Sequence, residues 1–564
     1  MMTDIGSAAL LLVLVFSLYT AVASFLAARR RQAGLLASAR RSALATLLLV
    51  SVAVVILLIL LFRRDYQVQY VYGHVNSSLP GVYTFAALWA GQEGSLLVWL
   101  WFLAVFVVVA VRQRAAWARE LEPYALAVLG LTEFFFALLL CIESKPFVLL
   151  PARAIDGAGL NPLLENPGMV YHPPTLLLGY AAYTVPFAYA IAALVSGRLA
   201  GDWLRGLRRW NLLAWGFLGL GILLGAQWAY VELGWGGYWG WDAVENASLI
   251  PWLTGTALLH SVMIQERRGL FRVWNLLLIV GTFLLCVFAT FITRSGFVQS
   301  VHAFSASNIG YYFLSFIGLW LVAALWLLAQ RRRQLRTEAM VEEVLSREGT
   351  FLLNNVIFTG LAAAVMLGTL FPALTEALSG TQIALGRSFF DRVSGPVALA
   401  MLALLGVCPL LGWRRSGNLR AALPVPIGVG LATVVVLALV AGVHQALALF
   451  AFGLIALVAT TVAVEFVRGV QARHKITGEG ALLALYNLVR KNRRRYGGYI
   501  VHLAVVLMAL GITGEALFKT ERQVTLQRGE SLAVGRYVVR YEDLATEMLA
   551  NKERHVATVG VYLG

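Results

Sequence analysis

Charge, acid and cysteine are all scarce in this chain. Only 13% of its 564 residues are charged, about half the share of an average soluble protein. With 60% hydrophobic residues, that deficit excludes a disordered chain and an ordinary soluble enzyme. Cysteine occurs three times, at Cys141, Cys286 and Cys408, each inside an apolar run. No C-x-x-C pair is present, which removes a thioredoxin-like centre and a haem-attachment motif of the chain's own. The three thiols read as buried packing residues. No G-x-x-x-x-G-K-[ST] occurs, and no loop is large enough for a nucleotide-binding domain. That excludes a self-contained ATP-driven pump, though not one served by a separate ATPase chain. No convincing inverted repeat appears, which weighs against a secondary transporter. The N-terminus has neither a basic region nor a small-residue cleavage pattern, so the first apolar run reads as a retained helix.

Apolar sequence is abundant instead. About 20 apolar residues span a bilayer as a helix. Fourteen such stretches can be marked, at roughly 5–28, 42–62, 95–111, 122–143, 174–195, 211–232, 249–264, 273–293, 310–330, 351–373, 396–413, 421–441, 446–467 and 497–518. The reading is an all-α polytopic membrane protein of about 14 transmembrane helices. A net charge of +16 invites a nucleic-acid partner, but its location argues against one. None of the 45 Lys and Arg lies inside a marked stretch. Taken alternately, the loops at 29–41, 112–121, 196–210, 265–272, 331–350, 414–420 and 468–496 hold 31 of them. The short loops between these hold 7, and the tail after residue 518 holds 7. The positive-inside rule then puts the first set in the cytoplasm, and the N-terminus and tail outside.

Four segments depart from plain helix and loop, all on the expected outer side. Loop 63–94 is long and ends in Gly91-Gln92-Glu93-Gly94, with Ser95 opening the next helix. Loop 144–173 ends in Asn166-Pro167-Gly168-Met169-Val170-Tyr171-His172-Pro173, with Pro174 next. Loop 233–248 is aromatic and almost uncharged. The tail alternates in strand fashion around Arg536–Tyr541, with a turn signal at Arg528-Gly529-Glu530. The expected division is a helical membrane domain over 1–518, containing the aromatic segment 233–252, and a small extracytoplasmic β domain over 519–564. The sequence stops at Val561-Tyr562-Leu563-Gly564 in a strand pattern, which reads as a chain cut short, with room for a further helix.

The aromatic segment carries Trp235, Tyr238, Trp239, Trp241 and Trp252, separated by Gly236, Gly237 and Gly240. Asp242 and Glu245 follow at i, i+3. One reading is an aromatic belt at the bilayer surface. The other is a platform for a large flat ligand, which glycines would let approach closely.

Of eight histidines, two lie within the membrane. His260 is seven residues before Arg267, and His502 is seven after Arg495. Both sit roughly 10 Å deep from the cytoplasmic edge. Matched depth on antiparallel helices suits bis-imidazole ligation of a haem iron; the alternative is hydrogen bonding to a neighbouring helix. His172 and His302 lie outside next to helix ends. They flank the aromatic segment only if the fold gathers three outer loops, and are otherwise surface residues. His74, His444, His474 and His555 read as solvated or locally bonded. Arg294, alone among Lys and Arg in its loop, reads as a partner for a carboxylate such as a haem propionate or as a boundary anchor. Glu133, mid-helix, reads as a hydrogen-bonded structural residue, with a proton route as the alternative.

The run from Trp235 to Trp252, W-G-G-x-W-x-W-D-x-x-E-N-A-S-x-x-P-W, resembles the WWD domain of haem-handling membrane proteins. Length, helix count and further stretches single out one group within it, the CcmF-type subunit of the cytochrome c haem lyase of maturation system I. Those stretches are Gly91–Trp99, Asn166–Pro174, Thr293–Gly296 with Ser300–Phe304, and Arg493–His502. The resemblance covers most of residues 60–520. Departures are Gln92 where the family usually has His, and Tyr238, Gly240 and Ala243 where Trp, Phe and Pro are common.

The resemblance implies that His260 and His502 are axial ligands of a resident haem b. It implies that His172 and His302 ligate a second haem, the substrate, held against Trp235, Trp239, Trp241, Asp242, Glu245 and Trp252, with Arg294 toward a propionate. The expected function is covalent attachment of haem to apocytochrome c outside the bacterial cytoplasmic (inner) membrane. The resident haem would relay electrons, with quinol as a possible donor. No catalytic side chain is expected, because the client's thiols react. Expected partners are a haem-loaded periplasmic haem chaperone of CcmE type, apocytochrome c, apocytochrome-binding lyase subunits of CcmH/CcmI type and the lipid membrane. A rival from another class is a transporter of haem or another hydrophobic substrate, and a third is an assembly scaffold without chemistry.

Overall fold

The computed structural model describes all residues except 114, 200–202, 234–235, 299, 301–307, 337–342, 344, 413–421 and 550–552. The chain is a multi-pass helical membrane protein with a small C-terminal sheet. Among the described residues, 13 helices are long and apolar enough to cross a membrane. They are α1 (Met2–Arg30), α2 (Ala33–Phe62), α5 (Gln92–Val111), α6 (Ala116–Ile142), α7 (Gly168–Ser196), α8 (Trp203–Glu232), α9 (Ala243–Arg268), α10 (Arg272–Ser295), α11 (Ile309–Leu335), α12 (Arg347–Ser379), α13 (Arg387–Val407), α15 (Ala446–Thr477) and α17 (Arg493–Phe518). The apolar run at 421–441 appears as the shorter α14 (Pro424–Leu439). Among the described residues, three further α-helices lie off the spans. Loop 63–94 contains α3 (Gln69–His74) and α4 (Gly81–Ala86), and α16 (Ala481–Lys491) lies between α15 and α17.

Two compact units divide the chain. The first comprises residues 1–339, 358–390 and 546–555; the second comprises 340–357, 391–545 and 556–564.

In the first unit, small residues let helix backbones approach, as membrane packing requires. A Cβ on Gly130 of α6 would sit 2.8 Å from the Ala21 nitrogen of α1. One on Gly221 of α8 would sit 2.8 Å from the Leu176 Cα of α7. Aromatic rings fill the centre. Trp99 lies between Phe136 and Tyr180, with centroids 5.0 and 5.4 Å away. Phe187 stacks on Phe283 at 4.3 Å. The buried Glu122 carboxylate receives both Nε and Nη2 of Arg40, at 2.5 and 2.7 Å.

In the second unit, Val462, Leu488, Tyr496 and Tyr499 form a cluster joining α15, α16 and α17. Beside it, Arg495 pairs with Glu465, and the Tyr499 hydroxyl donates to the same carboxylate. The tail, of which residues 546–555 group with the first unit, folds as β1 (Ser531–Val534), β2 (Tyr537–Met548) and β3 (Glu553–Leu563), in that order in the sheet. β1 and β2 are antiparallel, with Ser531 opposite Arg540 and Val534 opposite Tyr537. Gly535, with φ +60°, turns the chain between them.

Candidate functional site

Trp235 and His302 lie outside the described residues. The rest of the aromatic segment is shaped by its two carboxylates. Asp242 caps α9, its side chain accepting from Val244 N at 3.1 Å. Glu245 turns back, and its Oε2 accepts from Asp242 N at 3.1 Å and Gly240 N at 2.9 Å. This is a capping box, which an acidic D-x-x-E at a helix start can form. Trp241, just before the cap, takes φ +57°, a conformation that costs energy outside glycine. It is held there by Asn246, whose amide donates to the Trp241 carbonyl at 3.0 Å and to Thr369 Oγ1 at 3.0 Å. The Trp241 ring stacks on Phe390 at 5.1 Å and meets Trp239 edge-on at 5.9 Å.

Trp252 is not part of that surface cluster. It lies ten residues along α9 from Asp242, about 15 Å away, and stacks on Trp215 of α8 at 5.5 Å.

Two side-chain bonds connect two of the other outer stretches to this segment or to the helix that leads into it. Ser300, two residues before His302, donates to Asp242 Oδ2 at 2.5 Å. Asn166 donates to Glu232 Oε1 at 2.5 Å, which ties the entry of α7 to the last turn of α8. Asn166 also accepts from Gly168 N at 2.7 Å, starting α7.

His172 is the fifth residue of α7. Its Nδ1 lies 2.8 Å from the Gly221 carbonyl. A carbonyl only accepts, so Nδ1 carries the proton, and the lone pair of the neutral ring is on Nε2. Gly225, one turn further along α8, leaves the ring its space, since a Cβ there would sit 2.5 Å from His172 Cε1. Trp228 stands edge-on to the imidazole at 5.7 Å. The buried indole nitrogens of Trp228 and Trp239 find no hydrogen-bond partner among the described residues.

Arg294 is not at an open boundary. It is 4% exposed, and its Nη2 donates to Ser95 Oγ at 2.7 Å. Ser95 Oγ in turn donates to Gln92 O at 3.0 Å, and Gln92 Nε2 to Ser144 Oγ at 2.9 Å. The stretches around Gly91–Trp99 and Thr293–Gly296 therefore meet through one guanidinium. Tyr70 completes this corner, receiving Gly91 N at 3.1 Å and donating to the Ala87 carbonyl at 2.8 Å. Next to it, His74 donates from Nδ1 to Tyr70 O at 2.7 Å, and burial pushes its pKa below the usual histidine value.

His260 lies within α9. Its Nδ1 bonds the Thr256 carbonyl at 2.8 Å, so this ring too carries its lone pair on Nε2. Thr256 Oγ1 accepts from Trp215 Nε1 at 2.8 Å. The Phe358 ring lies nearly parallel to the imidazole at 6.4 Å. His502 is half-buried on α17 in the second unit. Glu133 is fully buried, and neither of its carboxyl oxygens has a partner among the described residues. The hydrogen bond expected for it is therefore absent among them.

Sequence reasoning missed Trp228, Ser95, Phe390 and the anchoring role of Ser300. The glycine spacing at 221 and 225 ahead of Trp228 was the one local signal.

A helical membrane protein that gathers an aromatic, glycine-rich loop and a carbonyl-oriented histidine fits the cytochrome c assembly class, and the family model described as "Cytochrome C assembly protein" matches residues 89–299. CcmF of Haemophilus influenzae, a cytochrome c-type biogenesis protein, is 38% identical over 499 residues, covering 86% of this chain and 74% of that one. CcmF of Escherichia coli is 36% identical, covering 88% of this chain and 75% of its own length. A solved structure, "Cytochrome c Heme Lyase CcmF", superposes with a TM-score of 0.80 at 30% identity, covering 100% of this chain and 85% of that one. The chain belongs to the CcmF family of cytochrome c-type biogenesis proteins.

Proposed function

We propose that the chain is a haem lyase subunit. It positions haem for covalent attachment to apocytochrome c at the outer face of a bacterial inner membrane. The observation that carries this reading is the pair of bonds Asn166–Glu232 and Ser300–Asp242. They tie Asn166, at the entry of the helix bearing His172, to the end of α8, and Ser300, two residues before His302 in the sequence, to Asp242 of the aromatic segment.

Haem is the substrate. His172, with its proton fixed on Nδ1, and His302 hold the iron. Trp239 and Trp241, with Trp235 of the same motif, would hold the macrocycle, and the indole N–H groups of Trp228 and Trp239, which have no partner among the described residues, suit its carboxylates. Asp242 and Glu245 act by shaping the segment. Arg294, buried against Ser95, serves a propionate only if that bond is exchanged. Each thioether forms when a client thiol adds S–H across a vinyl C=C. Sulfur bonds one carbon and hydrogen the other, with no leaving group and no net electron change. Holding both reactants in register can remove roughly 7–11 kcal/mol of barrier in ideal cases.

By the sequence resemblance, His260 and His502 would hold a resident haem b. The Nδ1–H bond of His260 to Thr256 is the orienting contact an iron-ligating imidazole uses. A haem bound there would supply one-electron transfer toward the substrate iron, for which a quinol could be the donor. A CcmE-type chaperone delivers haem, and CcmH/CcmI-type subunits present the apocytochrome.

The test supplies membranes containing the chain with haem-loaded chaperone and reduced apocytochrome. Haem that stays on the cytochrome after denaturation is expected. Haem crossing the membrane unaltered, without thioether, would support a transporter instead.

A further inference from the structure

The short helix α16 has two apolar faces, and the described residues cover only one. Ala484 and Leu488 turn inward to Val462, Tyr496 and Tyr499. On the opposite side, Leu482, Leu485 and Tyr486, with Val489 half-buried at the edge against the inward cluster, recur at i, i+3, i+4 and i+7 and line a shallow groove of about 540 Å³ together with Arg490 and Arg493. Leu482 is 85% exposed and Tyr486 60%.

The helix cannot stray far from a bilayer surface. α15, which ends at Thr477, and α17, which begins at Arg493, both have the length and composition of membrane spans. Residues 468–496 carry eight Lys and Arg, with Glu479 the single acid among them. Glu479 is engaged by Arg473 through both oxygens, at 2.6 and 2.7 Å, and that pairing holds its pKa below the usual glutamate value. Arg490 and Arg493, by contrast, border the apolar groove. An apolar stripe at helical spacing, rimmed by cations and lying at a membrane boundary, is the pattern of an interfacial lipid-binding helix.

We propose that the groove on α16 binds an anionic phospholipid. Acyl chains would cover Leu482, Leu485, Tyr486 and Val489, and the phosphate would lie between Arg490 and Arg493. A zwitterionic lipid offers the same acyl chains but no net charge. A free phosphate ester offers the charge but nothing to cover the leucines. Both should therefore bind less well.

The test uses the full chain, delipidated in neutral detergent and titrated with phosphatidylglycerol, phosphatidylcholine or glycerol phosphate. Bound lipid is counted by native mass spectrometry. One phosphatidylglycerol is expected to bind more tightly than phosphatidylcholine, with no displacement by glycerol phosphate. Arg490→Gln with Arg493→Gln should weaken it roughly tenfold or more, since each surface cation adds a comparable electrostatic increment. Leu482→Ser with Leu485→Ser should weaken both lipids. Arg332→Gln with Arg333→Gln, on the last turn of α11, should leave binding unchanged. Thermal unfolding of every variant checks that the fold persists. Equal affinity for the two lipids, or retention of phosphatidylglycerol by the folded Arg490→Gln, Arg493→Gln variant, would overturn the proposal. Displacement by glycerol phosphate would do so too. None of these readouts depends on haem.

Discussion

Ser300 and Asp242 are 58 residues apart and share a 2.5 Å hydrogen bond, and the same Asp242 carboxylate caps α9. One acid thus both starts a helix and anchors the chain that leads to His302. Loss of a cap costs about 1 kcal/mol, up to about 2. Asp242→Ala should therefore lower the thermal midpoint of the purified protein and reduce cytochrome c yield. Asp242→Asn, which still accepts both bonds, should retain most of each. Ser300→Ala, which keeps the cap, should affect yield more than stability. Equal yield in Asp242→Ala and the parent would contradict the anchoring role.

Gly225 is the space for the His172 ring. In Gly225→Ala the new methyl would press on Cε1 and force the imidazole off the Gly221 carbonyl. Trapping of haem-loaded chaperone should weaken several-fold, while the haem proposed at His260 should be undisturbed. Gly216→Ala on the same helix meets nothing within 4 Å and should be neutral. Identical behaviour of the two variants would argue against this seat for His172.

Asp156 locks the loop after α6 onto the loop between α3 and α4. Its carboxylate accepts from Ser77 N at 2.7 Å, Ser77 Oγ at 2.6 Å and Gly157 N at 2.8 Å. The Ser77 hydroxyl leads in holding its pKa down at about 2. The folded value lies below the unfolded one, near 3.8. The lock is therefore fully present above about pH 4 and is lost as pH falls toward 2. The group is exposed, so the effect is local. Hydrogen exchange in residues 72–78 and 154–158 should quicken below pH 4 in the parent. In Asp156→Ala it should be fast and pH-independent beyond the intrinsic rate. Unchanged protection across that window would remove the assignment.

The membrane-spanning pattern was legible because an apolar run of helical length leaves little else for the chain to do. Each marked stretch corresponds to a helix. The cap was legible too, since Asp242 and Glu245 at i, i+3 before an apolar run is a capping signature. Their chemistry next to five aromatics drew the reading toward a ligand surface instead. α3 and α4 were hidden because six residues are too few to display a 3.6-residue period. The Arg294–Ser95 bond joins residues 199 apart, and no local pattern reports that. Trp252 fell in the motif by sequence, but helical rise carries it away from the loop. His172 was legible only as a residue type, because its orientation is set by a carbonyl and a bare glycine on another helix.

His260 takes its orientation from Thr256 one turn back. His260→Ala and His502→Ala should each deplete haem from the purified protein, whereas Thr256→Ala, which keeps the carbonyl, should not. Oxidised and dithionite-reduced absorbance spectra check this. Full haem with an unchanged spectrum in both histidine variants would mean that neither is an iron ligand.

Haem content and cytochrome c yield, measured together in a single strain carrying His172→Ala, test the two-haem account most directly. The expected result is a protein that keeps its resident haem spectrum and makes no mature cytochrome c, with partial return of yield when imidazole is added. Loss of the resident haem in that variant would contradict the account, as would a normal yield once His302 is also replaced by Ala.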